Sequence, residues 1–313
     1  MEKEKQPIKA PILLIGFNRP ENTKKVFAKI REAKPKKLYF AVDGPREENK
    51  DDYILTKEVK DIISMVDWDC NVYTRFSDIN QGCGYGPYNA ISWVFENEDR
   101  AIILEDDCVP ALPFFSYCDE LLEKYKDDTR IWLISGSNFS EKGVRTKYSY
   151  FFSKYGQTWG WATWRRCWKE MDMQMSSFPL LIKQDLLKSA FYTEKEASFF
   201  GKIFERNYYN QTTTDHIWDF QFLYTRRVNN ALTIVPRKNL IRNIGYHGTH
   251  SKKQNEFHNR LIDETYKIVS HPDFLLCDIN YDNYHFKNHW YKKKTILNKI
   301  IRKTIKIWKY LKS

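Results

Sequence analysis

Five strand-length runs alternating with helix-period segments constrain the first 140 residues more than any other feature of this sequence. ILLIGF (12–17) reads as a buried strand. Pro20 suits a first helical turn, and Val26, Phe27, Ile30 and Ala33 then share one helical face. LYFAV (38–42) is a second strand, closed by the turn residues Asp43-Gly44-Pro45. A helix over about 52–65 leads to a third strand, NVYTRF (71–76). A glycine-rich loop then opens a helix through Trp93 and Phe95. AIIL (101–104), a helix over about 113–125 and IWLIS (131–135) complete the series. Such alternation implies right-handed βαβ units and a mostly parallel sheet flanked by helices, the Rossmann-like α/β class.

The fourth run ends in Glu105-Asp106-Asp107 and turns at Pro110. Adjacent carboxylates repel, so a core gains nothing from three at its edge. A divalent cation would relieve the repulsion, and oxygen ligands of this kind suit Mg²⁺, Mn²⁺ or Ca²⁺. Ligands of open α/β sheets bind beyond the carboxyl ends of the strands. A metal–diphosphate site is therefore expected here, with a solvated acidic turn as the plainer alternative.

The six cysteines show no CxxC pairing, which argues against a zinc ribbon or a disulfide scaffold and for a reducing compartment. The opening MEKEKQPIKA lacks an apolar leader, and no apolar run is long enough to span a bilayer. These features predict a cytoplasmic protein. The net charge is +11, yet nine of the cations fall in 290–313, a stretch without acids. The rest of the chain is nearly neutral, so nucleic acid is not an expected partner. Within that stretch Ile296, Leu297, Ile300, Ile301, Ile305, Trp308 and Leu311 recur at three and four among lysines. This predicts a basic amphipathic helix that lies on an anionic membrane surface, or packs on protein.

Other candidates are less specific. NQGCGYG (80–86) could bring the Gly84 backbone against a phosphate, or simply turn the chain. Asp43 could hold a ribose or base, and Arg19 a diphosphate. Trp161, Trp164 and Trp168 have the spacing of a packed helix face, whereas Trp159 lies off that stripe and suits a sugar platform. TTTDHIWDFQF carries Asp215 and Asp219, either of which could act as a general base among aromatics. His247 and His250 in IGYHGTHS could supply a lone metal contact or loop hydrogen bonds.

Together these segments resemble a GT-A glycosyltransferase, and more narrowly the N-acetylglucosaminyltransferase I family and its bacterial relatives. EDDCVPALPFFSY (105–117) is the most specific part of the match; PILLIGFNRP, AVDGP, TWGWATW and WDFQF followed by IVPRKN extend it over about 10–250. The resemblance implies that Asp107 binds Mn²⁺ (or Mg²⁺); His250, from its HxxH loop, is kept as a further candidate metal contact. It places Arg19 on the diphosphate, Asp43 on uracil, and Glu105 and Asp106 on the donor sugar and ribose. Gly84, Trp159, Gly160 and Trp161 join the donor site, and Asp219 becomes the base with Asp215 in reserve. Two departures stand out: Phe-Gln follows Trp-Asp where the family has a second acid and Trp, and the tail has no counterpart.

The resulting expectation is one GT-A domain over 1–285, with a nucleotide-binding half (8–140) and an acceptor half (141–285), and a basic tail over 286–313. It would transfer a sugar with inversion from a UDP-sugar to a glycan or lipid-linked glycan, at the inner face of the membrane, in surface polysaccharide assembly. A nucleotidyltransferase of related fold and an inactive membrane-surface binding protein are the alternatives.

Overall fold

The computed structural model describes residues 8–210, 217–245, 258 and 260–291. The five expected strands are β1 (Ile12–Gly16), β2 (Lys37–Val42), β3 (Asn71–Phe76), β4 (Arg100–Glu105) and, after the short β5 (Cys108–Pro110), β6 (Ile131–Ser135). Later strands β7 (Tyr150–Ser153), β8 (Trp161–Trp164) and β9 (Leu232–Pro236) enter the same sheet. Its order is β3-β2-β1-β4-β8-β6-β9-β7. The first four run parallel; β8 lies antiparallel between β4 and β6, β9 is parallel to β6, and β7 closes the far edge antiparallel. A small ribbon pairs β5 with β10 (Ile241–Asn243).

The central strands are apolar on both faces because both faces are covered. Leu14 and Phe40 pack beneath α1 (Pro20–Ala33), with Val59 of α2 (Lys50–Asp61) and Phe114 of α4 (Pro113–Lys124) in the same cluster. Leu13, Tyr39 and Ile103 pack on the other face with Ile91 of α3 (Gly82–Asn97), Trp168 of α5 (Arg165–Trp168) and Phe222 of α8 (Trp218–Val228). A third cluster joins α6 (Phe178–Lys183), α7 (Glu194–Tyr209) and α8 with Phe286, just past α9 (Ile279–His285).

Three local expectations change. The glycines of NQGCGYG are not a loop but the first turns of α3. The helix starts there because Asp43, on a neighbouring strand end, accepts the backbone N–H groups of Gln81 (2.9 Å) and Gly82 (3.1 Å). The tryptophan stripe is not one helix face: Trp161 and Trp164 stand on β8 and Trp168 follows in a single helical turn. Third, 286–290 is a helical turn packed on the body rather than tail, with Phe286 buried against Phe200. Asp215, His250 and residues 292–313 lie outside the described residues. Among the described residues, no helix is long and apolar enough to cross a membrane.

Candidate functional site

Chain order reverses between β1 and β4, which are neighbours although β2 and β3 intervene in sequence. Crossovers diverge at such a point and leave a crevice beyond the carboxyl ends of the strands. Here it is a cleft of about 1920 Å³. The register sets Ile15 beside Glu105, so the residues that follow each strand meet across it.

Arg19 is the residue before α1, where Pro20 takes the first helical position. Its guanidinium grips two carboxylates. Nε (3.2 Å) and Nη2 bond Asp106, and Nη1 bonds Asp107 Oδ2 at 2.8 Å. The β5–β10 ribbon holds Asp107 from the other side. Asn243 Nδ2 donates to Asp107 Oδ1 (3.2 Å), and the Ile244 N–H donates to the Asp107 carbonyl (2.9 Å). Gly245 is needed for this approach, since a Cβ there would stand 2.0 Å from Asp107 Oδ2.

Burial dominates the electrostatics. It pushes Glu105 up to about 8, with the charges of Asp107 and Asp106 adding to the shift. It lifts Asp106 to about 6 against the pull of Arg19. Burial also opposes the Arg19 charge, but the two aspartates outweigh it and its pKa rises.

Asp219 enters from α8, in that helix's first turn. Its neighbour Trp218 is buried against Trp161, with ring centres 5.6 Å apart, and so fixes the helix start. The Asp219 carboxylate is partly buried, and among the described residues its Oδ1 is out of contact with solvent and without a hydrogen-bond partner. Burial raises its pKa to about 6. Its charge is felt at Glu105, across the same cleft.

Of the sequence candidates, Arg19, Asp43, Gly84, Glu105, Asp106, Asp107, Trp159 and Asp219 all line this cleft. Asp43 already accepts from the N–H groups of Gly44, Gln81 and Gly82 and from Asn80 Nδ2, so it anchors the wall it belongs to. Burial raises its pKa against those bonds. Trp161 lies behind the wall, fully buried in the core. Gly160 takes φ +60, a turn where a Cβ would meet Ile241 at 2.3 Å.

Sequence reasoning missed Asn243, Gly245 and His258. His258 bridges Asn243, stacks on Trp159 at 5.8 Å and lines the cleft. Burial lowers its pKa while Asp107 pulls it upward. It also missed the salt-bridged wall in which Arg46 Nε meets Asp52 Oδ2 at 2.6 Å and Asn18 Nδ2 meets Asp52 Oδ1 at 2.8 Å.

Among the described residues no three His, Cys, Asp or Glu side chains converge as a metal cage. A divalent ion would thus take few ligands from protein, as Mg²⁺ does where it binds through one or two carboxylates plus phosphates and water. The surplus of buried carboxylates over their single arginine partner fits such an ion.

No family model matches the sequence, and no curated protein does. Solved structures similar to this chain include a glucose-1-phosphate thymidylyltransferase from Bacillus anthracis in complex with a sucrose. It is 10% identical, with 52% of this chain and 74% of that one covered, at a TM-score of 0.31. The apo structure of the bifunctional glycosyltransferase WbbM is 9% identical, with 74% of this chain and 46% of that one covered, also at a TM-score of 0.31. This chain thus spans less than half the length of WbbM. Likeness at this level assigns no activity.

Proposed function

We propose that this chain transfers a sugar from a nucleoside-diphosphate donor to an acceptor hydroxyl, with inversion at the anomeric carbon. The observation that carries the reading is the placement of Asp219. A carboxylate with an unpartnered oxygen and a pKa of about 6 shares one cleft with the Arg19–Asp106–Asp107 cluster. A general base works best when its pKa approaches the operating pH. Asp219 would accept the acceptor's proton as its oxygen attacks. The α8 anchor at Trp218 would hold the base in place.

Asp107, with His258 beside it, would hold Mn²⁺ or Mg²⁺, the other ligands coming from the diphosphate and water. Bound there, such an ion supplies charge neutralisation for the departing diphosphate. Arg19 carries five N–H donors in a rigid fork, which suits phosphate oxygens as well as carboxylates. Trp159, half-exposed at the cleft and stacked on His258, offers a face for a sugar ring. A UDP donor rests on the family resemblance. A glycan or lipid-linked acceptor, and an anionic leaflet met by the cations of 292–313, complete the proposal.

Product analysis tests it. Incubating the protein with nucleotide sugars, Mn²⁺ and acceptor glycans should release nucleoside diphosphate. Release of pyrophosphate from a nucleoside triphosphate and a sugar phosphate would instead mark nucleotidyl transfer.

A further inference from the structure

We propose that the chain pairs with a second copy of itself through the outer edge of β3, joining two eight-stranded sheets about a two-fold axis. The inference does not draw on the sugar-transfer reading.

Among the described residues β3 ends the sheet and is bonded to β2 along one edge only. All six of its residues are exposed. Folded chains usually bend, shorten or cover such an edge, because its free peptide groups template pairing. This edge is flat in register with β2 over its whole length and contains no proline. On the strand Val72, Tyr73 and Phe76, and just past it Ile79, leave 37–74% of their surface exposed. Large apolar side chains gathered at one place mark a contact surface.

The backbone decides which groups are available. The Asn71 N–H donates to the Lys36 carbonyl at 2.9 Å, and the Ser77 N–H donates to the Val42 carbonyl at 3.0 Å. Peptide groups alternate sides along a strand, so odd-numbered residues of β3 face β2. Val72, Thr74 and Phe76 therefore direct their N–H and C=O groups outward.

The side chains decide the occupant. An antiparallel two-fold centred on Thr74 sets Thr74 against its own copy, Val72 against Phe76 and Tyr73 against Arg75. Every outward-facing residue then meets another, and each such pair can exchange two hydrogen bonds. The pairs match in chemistry: hydroxyl with hydroxyl, apolar with apolar, and guanidinium with an aromatic face in both halves. Past the strand, Asn71 meets Ser77 and Cys70 meets Asp78, so no like charges oppose. Recentring on Tyr73 would set Asn71 against Arg75 and Phe76 against Cys70, which loses the apolar and cation–π pairs. The sequence of this edge is thus complementary to itself about Thr74 and not after that one-residue shift.

Sedimentation equilibrium on the full chain at micromolar concentration should give twice the 37.7 kDa chain mass. Thr74→Lys sets two ammonium groups across the axis and should return the mass to 37.7 kDa. Its far-UV circular dichroism spectrum should not change, because the Thr74 side chain is exposed and its N–H points away from β2. Thr74→Cys should cross-link to its own copy under mild oxidation, while the parent sequence should not. Directly opposed Cα atoms lie about 5.5 Å apart, within the span of a disulfide. A monomeric parent chain, a dimer that Thr74→Lys leaves intact, or the absence of the Thr74→Cys cross-link would overturn the proposal.

Discussion

Replacing Asp219 by asparagine should make the protein more stable and far less active. The wild-type carboxyl titrates at about 6 in the folded chain against an ordinary 3.8, with burial as the main cause. Each pKa unit is worth about 1.4 kcal/mol, so ionising Asp219 costs about 3 kcal/mol more in the folded than in the unfolded chain. Asp219 is partly exposed, and solvent screening brings the expected gain for Asp219→Asn to about 1–2 kcal/mol. The sign follows from the raised acid pKa. Below pH 3.8 both states of the wild type are protonated and the variant gains nothing from lost charge. Between 3.8 and about 6 the unfolded chain ionises first, so the wild type loses stability as pH rises. Above about 6 the full difference is present.

The kinetic effect runs the other way. Losing a general base lowers turnover by about 10²–10⁴, and wild-type activity should fall on the acid side as Asp219 protonates near pH 6. Urea unfolding at several pH values gives the stability arm. Single-turnover transfer and donor calorimetry separate chemistry from binding. A variant that loses stability as well as activity would mean that Asp219 is structural. A variant with wild-type turnover would remove it from the mechanism altogether.

Three further outcomes are expected. Asp107→Asn should abolish Mn²⁺-dependent UDP binding in calorimetry while the thermal melt persists; undiminished metal-dependent binding would remove Asp107 from the site. Gly245→Ala places a Cβ 2.0 Å from Asp107 Oδ2 and 3.0 Å from Arg19 Nη1, so it should displace both groups and weaken the same binding at least about tenfold, an effect of about 1.4 kcal/mol. Finally, a chain ending at Tyr291 should lose co-sedimentation with anionic vesicles at low salt while retaining donor binding. The nine cations removed contribute roughly 1 kcal/mol each when near such a surface.

What could be read from sequence follows from how local each determinant is. β1, β2 and β4 were legible because residues such as Leu13 and Leu14 are buried on opposite faces, which leaves an unbroken apolar run. β3 was legible for a different reason. It is exposed, but its β-branched and aromatic residues still mark a strand. β8 was misread because a four-residue buried run with Trp at both ends fits a strand or a helix equally well, and only pairing with β4 and β6 decides. The start of α3 was misread because its cap, Asp43, comes from 38 residues away from Gln81. The acidic triplet was visible as a cluster. Asn243, which holds it in place, was not, since its contact with Asp107 spans 136 residues and depends on the β5–β10 ribbon. His258 follows a stretch without periodicity, and its bridge to Asn243 and its stacking on Trp159 are long-range contacts that the sequence does not show.

The cleft's charge balance explains why an arginine stands at position 19. Asp106 is 2% exposed and Asp107 9%, so neither can shed its charge cost into water. A lysine would bring one point charge to one carboxylate at a time. The guanidinium reaches both, with Nε and Nη2 on Asp106 and Nη1 on Asp107. That arrangement leaves Glu105 without an ion-pair partner among the described residues, and burial, then the charges of Asp107 and Asp106, hold its pKa at about 8 against the pull of Arg19. On the proposed reading, a diphosphate and a divalent ion arriving together would change the balance on both sides. The phosphate oxygens offer Arg19 an alternative to Asp107, and the ion offers Asp107 an alternative to Arg19. Either ligand alone would replace the partner of one member of the Arg19–Asp107 pair and leave the other uncompensated. The Arg19–Asp107 contact would therefore favour donor and metal binding as a unit.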